Sequence, residues 1–405
     1  MSNANASPSL SEDQQTAVAA ATLFIAQKAP VLSIGGYAGS GKTTLIKHIM
    51  KQSPGALVCT FTGKATNVLR SKGIPRAGTI HSSIYEYRMK IKANKKTGRL
   101  QEDSDIDISG GFKLKKKLMV NEKKAKYIII DEAQTVPTNL WLDIQTFDLP
   151  IILIGDPGQL EPVGDNPELM EHPDIMLTEI HRQGENSGII DIATHIRNGG
   201  ELDNAPTGNG VEIFHGKRED TLDWLCKSDD SVMLCGFNRT RVAANIQMRN
   251  HLGFTTDWIN VGEQIICTSN DAANQFFNGQ CWKINHIDRQ QDDQVVIALV
   301  ENAMGFLRTV ALYASTFGIP SAPNWTDIKT LRTTHEHSTL GNVNYEVMIA
   351  DYGYCLSVHK YMGSEAARVA VIDEQCDLWS PPRWRYTAMT RASKELRYFT
   401  NGEKR

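Results

Sequence analysis

No two of the seven cysteines in this 405-residue chain stand closer than nine positions apart. With an odd count and no C-x-x-C pair, the sequence argues against a zinc ribbon and against a disulfide framework; buried free thiols are the simpler reading. Long apolar runs are missing too. None approaches the roughly 18–20 residues that a membrane-spanning helix needs. Residues 1–9 are small and polar, without a basic or an apolar region, so they read as a frayed tail and not as a signal peptide; a cytoplasmic address is the expectation. Nor is there an excess of positive charge. The formal net charge is −3, so a nucleic-acid partner cannot be argued from the total. The distribution is another matter. Between Arg88 and Lys126 stand 13 lysines and arginines against 5 acids. Two readings fit that stretch: a polyanion partner met through one segment, or a solvated lysine-rich loop.

What is present reads as ordinary globular protein, 41% hydrophobic and 22% charged, and long enough for two to four compact units. Four short apolar runs each lead into a glycine or polar turn: Val31–Ile34, Leu57–Cys59, Tyr127–Ile130 and Ile151–Ile154. Such runs predict buried parallel strands with function at their carboxyl ends. Helical patterns between them complete the βαβ grammar of a doubly wound sheet. Residues 84–126 interrupt it with an alternating stretch (Tyr85, Tyr87, Met89, Ile91), which predicts a β-hairpin excursion. A second α/β pattern begins near Leu177. Within it, residues 261–340 carry short β-type runs that suggest a small inserted barrel.

One run carries the chemistry most clearly. Residues 36–43, Gly-Tyr-Ala-Gly-Ser-Gly-Lys-Thr, match G-x-x-x-x-G-K-[ST] between a strand and a helix. In such a P-loop, backbone N–H groups and the helix N-terminus cradle phosphates. Gly36, Gly39, Ser40, Gly41 and Thr44 belong to the cradle. Lys42 is expected to reach the β- and γ-phosphates, and Thr43 to hold Mg²⁺. The strand Ile128-Ile129-Ile130 ends in Asp131-Glu132, which supplies a carboxylate for the metal (Asp131) and one to activate water (Glu132). Gln159, after the next strand, is an amide that could touch the γ-phosphate. Two arginines, Arg182 and Arg391, are candidates for the positive charge that the transition state needs. Each is a lone arginine, and a lone arginine is more often a surface salt-bridge partner than a finger.

Taken in order, these runs resemble the motif series of superfamily 1 helicases, subgroup B (the RecD-like group), from Leu10 to about Ala392. The resemblance implies two RecA-like P-loop domains of α/β class, with ATP between them, a small inserted hairpin domain and an inserted SH3-like β-barrel. The expected bounds are residues 1–80 and 126–174 for domain 1A, 81–125 for 1B, 175–260 and 344–405 for 2A, and 261–343 for the barrel. It implies that Gln14 reads the adenine. It also implies that Arg182 and Arg391 are γ-phosphate fingers, and that Gly363 and Glu365 lie at the nucleotide, Glu365 on the ribose. Thr62, Lys64, Thr79, His81, Asn278, His359 and Lys360 are implied to contact DNA, and Tyr85, Tyr87 and Met89 to form a strand-separating pin. In the motif around residues 357–365, Tyr361-Met362 stands where the family has Ser-Gln. The implied activity is ATP- and Mg²⁺-dependent DNA unwinding with 5′-to-3′ translocation. The implied partners are single-stranded DNA, the fork duplex, and replication or recombination proteins such as a single-strand binding protein, with no membrane. Alternatives that share the same core are an RNA-acting P-loop ATPase, a remodeller of protein–DNA complexes, and a DNA-binding module without turnover.

Overall fold

The computed structural model describes residues 10–90, 109–162, 164–180, 188–216, 218–254, 258–269, 271, 276, 278–290, 295–302, 305–320 and 346–400. The first part of the chain opens with helix α1 (Glu12–Gln27), strand β1 (Val31–Gly36), α2 (Lys42–Gln52), β2 (Ala56–Thr60), α3 (Gly63–Ser71), β3 (Gly78–Thr79) and α4 (Ile80–Ile84). It then leaves the sheet through β4 (Tyr85–Lys90), β5 (Ser109–Leu114), β6 (Met119–Val120) and β7 (Lys123–Lys124). It returns with β8 (Tyr127–Asp131), α5 (Thr138–Gln145), β9 (Ile151–Gly155) and β10 (Ile175–Leu177). Six of these strands form one parallel sheet in the order β10-β1-β9-β8-β2-β3. Strands β8 and β9 are buried along their whole length, as continuous apolar runs covered on both faces should be. One face packs Leu45, Ile46 and Ile49 of α2 with Ala17 and Val18 of α1; the other packs Leu140 and Ile144 of α5.

Sequence assigned residues 175–177 to the second unit, but they belong here. Ile175, Met176 and Leu177 pair with Ile34, Gly35 and Gly36 and so cover what would be an open sheet edge. The expected excursion is a hairpin: β4 and β5 run antiparallel, with Tyr85 opposite Leu114 and Lys90 opposite Ser109. A second, tiny hairpin, β6–β7, turns through Asn121 (φ 52°) and Glu122 (φ 62°), two consecutive left-handed residues as a tight primed turn requires.

The second part contains α6 (Gly188–Arg197), β11 (Val211–His215), α7 (Thr221–Cys226), β12 (Ser231–Cys235) and α8 (Asn238–His251), followed by β13 (Gln264–Cys267), β14 (Cys281–Gln290), β15 (Val295–Asn302) and β16 (Leu307–Tyr313). After β17 (Glu346–Val347) and β18 (Ala350–Tyr352), the chain closes with β19 (Cys355–Ser357), α9 (Val358–Tyr361), β20 (Ala366–Ile372), α10 (Pro381–Met389) and β21 (Ala392–Thr400). Strands β11-β21-β20-β12-β19 form a second parallel sheet. The fold is therefore α/β, with two RecA-like sheets. Strands β17-β16-β15-β14-β13-β18 form a third, mainly antiparallel sheet that curls with irregular register in β14, consistent with an SH3-like unit. Its last strands lie beyond the bound expected from sequence. Glu346–Val347 and Ala350–Tyr352 complete this sheet, because β18 pairs with β13.

The inserted sheet is tied to the second RecA-like unit by a buried ion pair. Arg241 of α8 meets Asp351 of β18 at 2.5 Å, with the two side chains only 5% and 4% exposed. Arg241 also donates to the Ile319 carbonyl, and Asp351 accepts from the Gly318 N–H. Leaving one of these charges buried alone should be costly, whereas replacing both is far milder. Asp351→Ala should destabilise the protein by about 3–5 kcal/mol, and Arg241→Met with Asp351→Leu by much less. Thermal unfolding followed by tryptophan fluorescence checks this. A single variant that melts with the wild type would contradict the role given to the pair.

Candidate active site and nucleic-acid face

Functional side chains gather where strands of the first sheet end. Beyond β1 the chain turns through Gly39 (φ 88°) and Gly41 (φ 78°), backbone that L side chains rarely adopt, and enters α2 at Lys42. Lys42 Nζ donates to the P-loop's own carbonyls, Gly36 at 2.7 Å and Tyr37 at 3.1 Å. Asp131 ends β8. Burial pushes its carboxyl up to about 7, helped by the neighbouring Glu132 and opposed by Lys42. Glu132 sits at φ 55°, a strained position for a non-glycine residue, costing of order 1–3 kcal/mol. Its carboxylate accepts from Gln134 Nε2 at 2.6 Å, and Gln134 Oε1 in turn accepts from the Asp156 N–H at 3.1 Å. The two acidic strand ends are thus joined through one buried amide.

Lys42, Thr43, Asp131, Glu132 and Gln159 line a cavity of about 730 Å³, together with Gly363, Glu365 and Arg391 from the second unit. The volume suits a small-molecule ligand. Arg391 is 5% exposed. It donates to Thr387 O, Ser364 O and Thr390 Oγ1 at 2.9–3.1 Å. All three acceptors are neutral, so these bonds orient the guanidinium without cancelling its charge. Arg182, the other candidate finger, lies outside the described residues. Glu365 stands 4.0 Å from Lys72 across the cleft, an exposed pair worth little by itself. Gly363 (φ 74°) lets the second unit approach α3 closely; a Cβ there would come within 2.9 Å of Ala65.

Two assignments take a different form here. Gln14, expected to read a base, is 4% exposed. Its amide oxygen accepts from the Ser11 N–H in a capping box, and its Nε2 donates to the Ser40 carbonyl at 3.0 Å. Both ends are engaged, and the second braces the P-loop. Gln159, expected at a phosphate, donates its Nε2 to Asp156 Oδ2 at 3.0 Å. Among the described residues its Oε1 has no partner. An ionised carboxylate only accepts, so it fixes this amide orientation. The unpartnered atom of Gln159 is therefore an acceptor, and a phosphate oxygen could be met only by the second N–H of Nε2.

The nucleic-acid candidates are not among the residues that line this cavity. Thr62 and Thr79 cap α3 and α4. His81 lies between the rings of Phe61 and Tyr85, and His359 against Trp379. Burial holds both histidines below the ordinary range, so at neutral pH they are uncharged. Lys64 and Lys360 are also lowered by desolvation. The Lys64 ammonium sits 3.8 Å from the centroid of the Tyr361 ring, a cation–π contact between α3 and α9. Tyr361 is thus the replacement for the family's serine, and it acts across the cleft. Asn278 lies in the turn before β14. Tyr85, expected in the pin, is held at the hairpin's root. Its hydroxyl donates to Asp143, and burial with that bond pushes it up to about 12. The side chains of Tyr87 and Met89 lie outside the described residues, although their backbones form β4.

Sequence reasoning gave Asp156, Gln134 and Tyr386 no part. Tyr386 of α10 accepts from the Ala38 N–H at 3.1 Å and donates to Asp156 Oδ2 at 2.9 Å. Thr387 beside it accepts from the Leu160 N–H, and Arg383 pairs with Glu161. Only the position of Tyr386, two turns into a helix opened by Pro381 and Pro382, hinted at a buried face.

A glycine-rich phosphate cradle, a strand-end acidic pair and an arginine from a second RecA-like sheet, all on one cavity, define a two-domain P-loop NTPase. Residues 9–209 match the family model described as an AAA domain. The ATP-dependent DNA helicase Dda of Enterobacteria phage T4 is 30% identical over 225 residues, 51% of this chain and 47% of that protein. The chain therefore spans about half the length of the curated relative it matches. Among solved structures, Pif1 helicase from Bacteroides, in complex with ADP-AlF3 and single-stranded DNA, aligns with a TM-score of 0.55 at 16% identity, covering 97% of this chain and 92% of the other. Pif1 from Candida albicans gives 0.53 at 16% identity, over 97% and 94%. The chain is thus similar to the superfamily 1 subgroup B helicases, with Dda among its relatives and the Pif1 fold.

The brace from Gln14 yields a test. Gln14→Ala should weaken ATP and GTP binding by similar factors, because it loosens the shared phosphate loop. A selective loss for ATP, read by competition against a fluorescent nucleotide analogue, would return Gln14 to base recognition.

Proposed function

We propose that this protein is an ATP-dependent DNA helicase that moves on single-stranded DNA and separates duplex strands. The observation that carries the reading is the shared cavity: Lys42, Asp131 and Glu132 from one RecA-like unit face Arg391 from the other. A group that closes on a nucleotide from a second unit makes hydrolysis depend on the relation of the two units. In this reading Lys42 leaves its P-loop carbonyls for the β- and γ-phosphates, Glu132 takes a proton from the attacking water, and Arg391 meets the developing charge. Thr43 and Asp131 would hold Mg²⁺. The donor set fits, since a hydroxyl and a carboxylate are hard oxygen ligands and the desolvated Asp131 gains from a nearby cation. The metal would supply charge neutralisation at the phosphates. ATP and Mg²⁺ are the cofactors; Gly363 and Glu365 border the nucleotide from the second unit.

Single-stranded DNA is the proposed track, reached through Thr62, Lys64, Thr79, His81, Asn278, His359 and Lys360. Similarity to Dda and to Pif1 supports DNA over RNA, and 5′-to-3′ movement is proposed on the same ground. Lys42→Ala should reduce turnover at least a hundredfold, since electrostatic stabilisation of this kind is worth orders of magnitude. Glu132→Gln should retain nucleotide binding and lose turnover. A DNA-stimulated ATPase assay with a binding measurement decides both; near wild-type turnover in the lysine variant would sink the assignment. Unwinding of paired substrates, one with a 5′ and one with a 3′ tail, tests direction.

The hairpin β4–β5 is proposed as the strand separator. With Tyr85 anchored on Asp143, the separating surface falls to the part beyond it, which includes Tyr87 and Met89. Leu114, Leu118 and Ala125 pack into the first unit, and Lys115 donates to Ser82 O and Ser83 O. An excision must therefore spare them. Replacing residues 87–112 with a short Gly/Ser linker should leave DNA-stimulated ATPase largely intact and remove most duplex unwinding. Unwinding at the full rate would place the separator elsewhere, and loss of both activities would make the hairpin part of DNA capture.

A further inference from the structure

We infer that Tyr386 is a positioning residue through which the second RecA-like unit holds in place the Asp156 carboxylate that orients the Gln159 amide, so that docking of α10 arms the site for hydrolysis. The inference rests on the ATPase reading above and deepens it.

Asp156 is fully buried. Three donors converge on its carboxylate: the Gly158 N–H and Gln159 Nε2 from its own loop, and the Tyr386 hydroxyl from the other unit. The Tyr386 hydroxyl has one proton, and Asp156 receives it. Its lone pair accepts from the Ala38 N–H in the P-loop. Both capacities of the hydroxyl are thus spent on the first unit, one at the phosphate cradle and one at the carboxylate. The ring seats the contact, since Gly158 brings its backbone so near that a Cβ would lie 3.1 Å from the Tyr386 ring.

The consequence falls on Gln159. An acceptor-only carboxylate demands the NH₂ end of the amide, so among the described residues Oε1 is the end left without a partner, and Gln159 lines the nucleotide cavity. A buried acceptor without a donor is costly and marks where a donor should sit. Phosphate oxygens cannot fill that role. A water molecule can, and a water held by Gln159 Oε1 would lie in the same cavity as the Glu132 carboxylate. The same Asp156 reaches Glu132 through its own N–H and Gln134. Tyr386 therefore bears on both groups that would handle the nucleophile. When the cleft opens and α10 withdraws, Asp156 loses its third donor and its link to the P-loop, and the carboxylate that holds the Gln159 amide is less firmly placed.

The test is Tyr386→Phe in the full chain, which removes the hydroxyl and keeps the ring. DNA-stimulated kcat should fall about tenfold while KM for ATP stays within about twofold, the pattern of an interaction realised in the transition state. Thermal melting and affinity for a fluorescent ATP analogue report whether the variant is folded and binds. Asp156→Asn, which can donate as well as accept and so releases the constraint on the amide, should give a similar kcat loss. The double variant should be no worse than the poorer single one, because the two groups act through one bond. Wild-type kcat in Tyr386→Phe, a rise in KM at unchanged kcat, or multiplicative losses in the double variant would each overturn the inference. A wild-type protein without nucleotide turnover would overturn the ATPase reading itself, and this inference with it.

Discussion

A carboxylate buried between two sheets must be satisfied by hydrogen bonds, and at Asp156 that need organises the rest of the site. Taking a charge out of water costs several kcal/mol unless donors replace the hydration. The loop after β9 supplies two donors, Gly158 and Gln159, and the third, Tyr386, arrives from the other RecA-like unit. The seam between the units is therefore fixed by more than packing. Thr387 accepts from Leu160 and Arg383 pairs with Glu161 along the same helix, so one turn of α10 reads three consecutive parts of the loop. Such polar seams are specific in geometry and modest in net energy, which suits an interface that must form and separate.

The proposed nucleic-acid face follows a different electrostatic plan. A track that binds only through point charges would lose affinity steeply with salt. Here desolvation lowers the proton affinity of His81, His359, Lys64 and Lys360. The two histidines lie against aromatic rings and are neutral, so they offer hydrogen bonds and ring faces instead of counterion release. Lys64 is committed to the Tyr361 ring across the cleft. A desolvated cation–π contact is worth about 2 kcal/mol or more. The contact joins α3 of the first unit to α9 of the second, at the residue where the sequence departs from the family's pattern.

Much of this was legible in the sequence because it depends on local pattern. Continuous apolar runs marked β1, β2, β8 and β9, and the glycine spacing marked the P-loop. The hairpin showed in the alternation from Tyr85 onward. What escaped depends on partners distant in the chain. Ile175–Leu177 looks like the start of a new unit until its ladder with β1 is seen. Residues 346–352 look like a return to the second unit until β18 pairs with β13. Tyr85 reads as a tip residue by alternation, yet period-two patterning does not say how far from the root a residue stands; its bond to Asp143 does. For Gln14 and Gln159 the motif gave the right neighbourhood. The direction of an amide, however, is set by which of its ends finds an acceptor, and neither Ser40 O nor Asp156 Oδ2 can be inferred from spacing.

The strained Glu132 ties these observations together. At φ 55° it costs free energy that a glycine would avoid, so something must favour a carboxylate there. At that left-handed position Gln134 holds the Glu132 carboxylate at 2.6 Å. Burial and the neighbouring Glu132 carboxylate both raise Asp131. Gln134 satisfies Glu132 with one end of its amide and the Asp156 N–H with the other, so the strain, the buried carboxylate and the tyrosine from the second unit form one connected network. A network of this kind transmits position only if each member has no spare partner. Among the described residues the buried side-chain atom of this network without a partner is Gln159 Oε1, on the cavity that Lys42 and Arg391 also line.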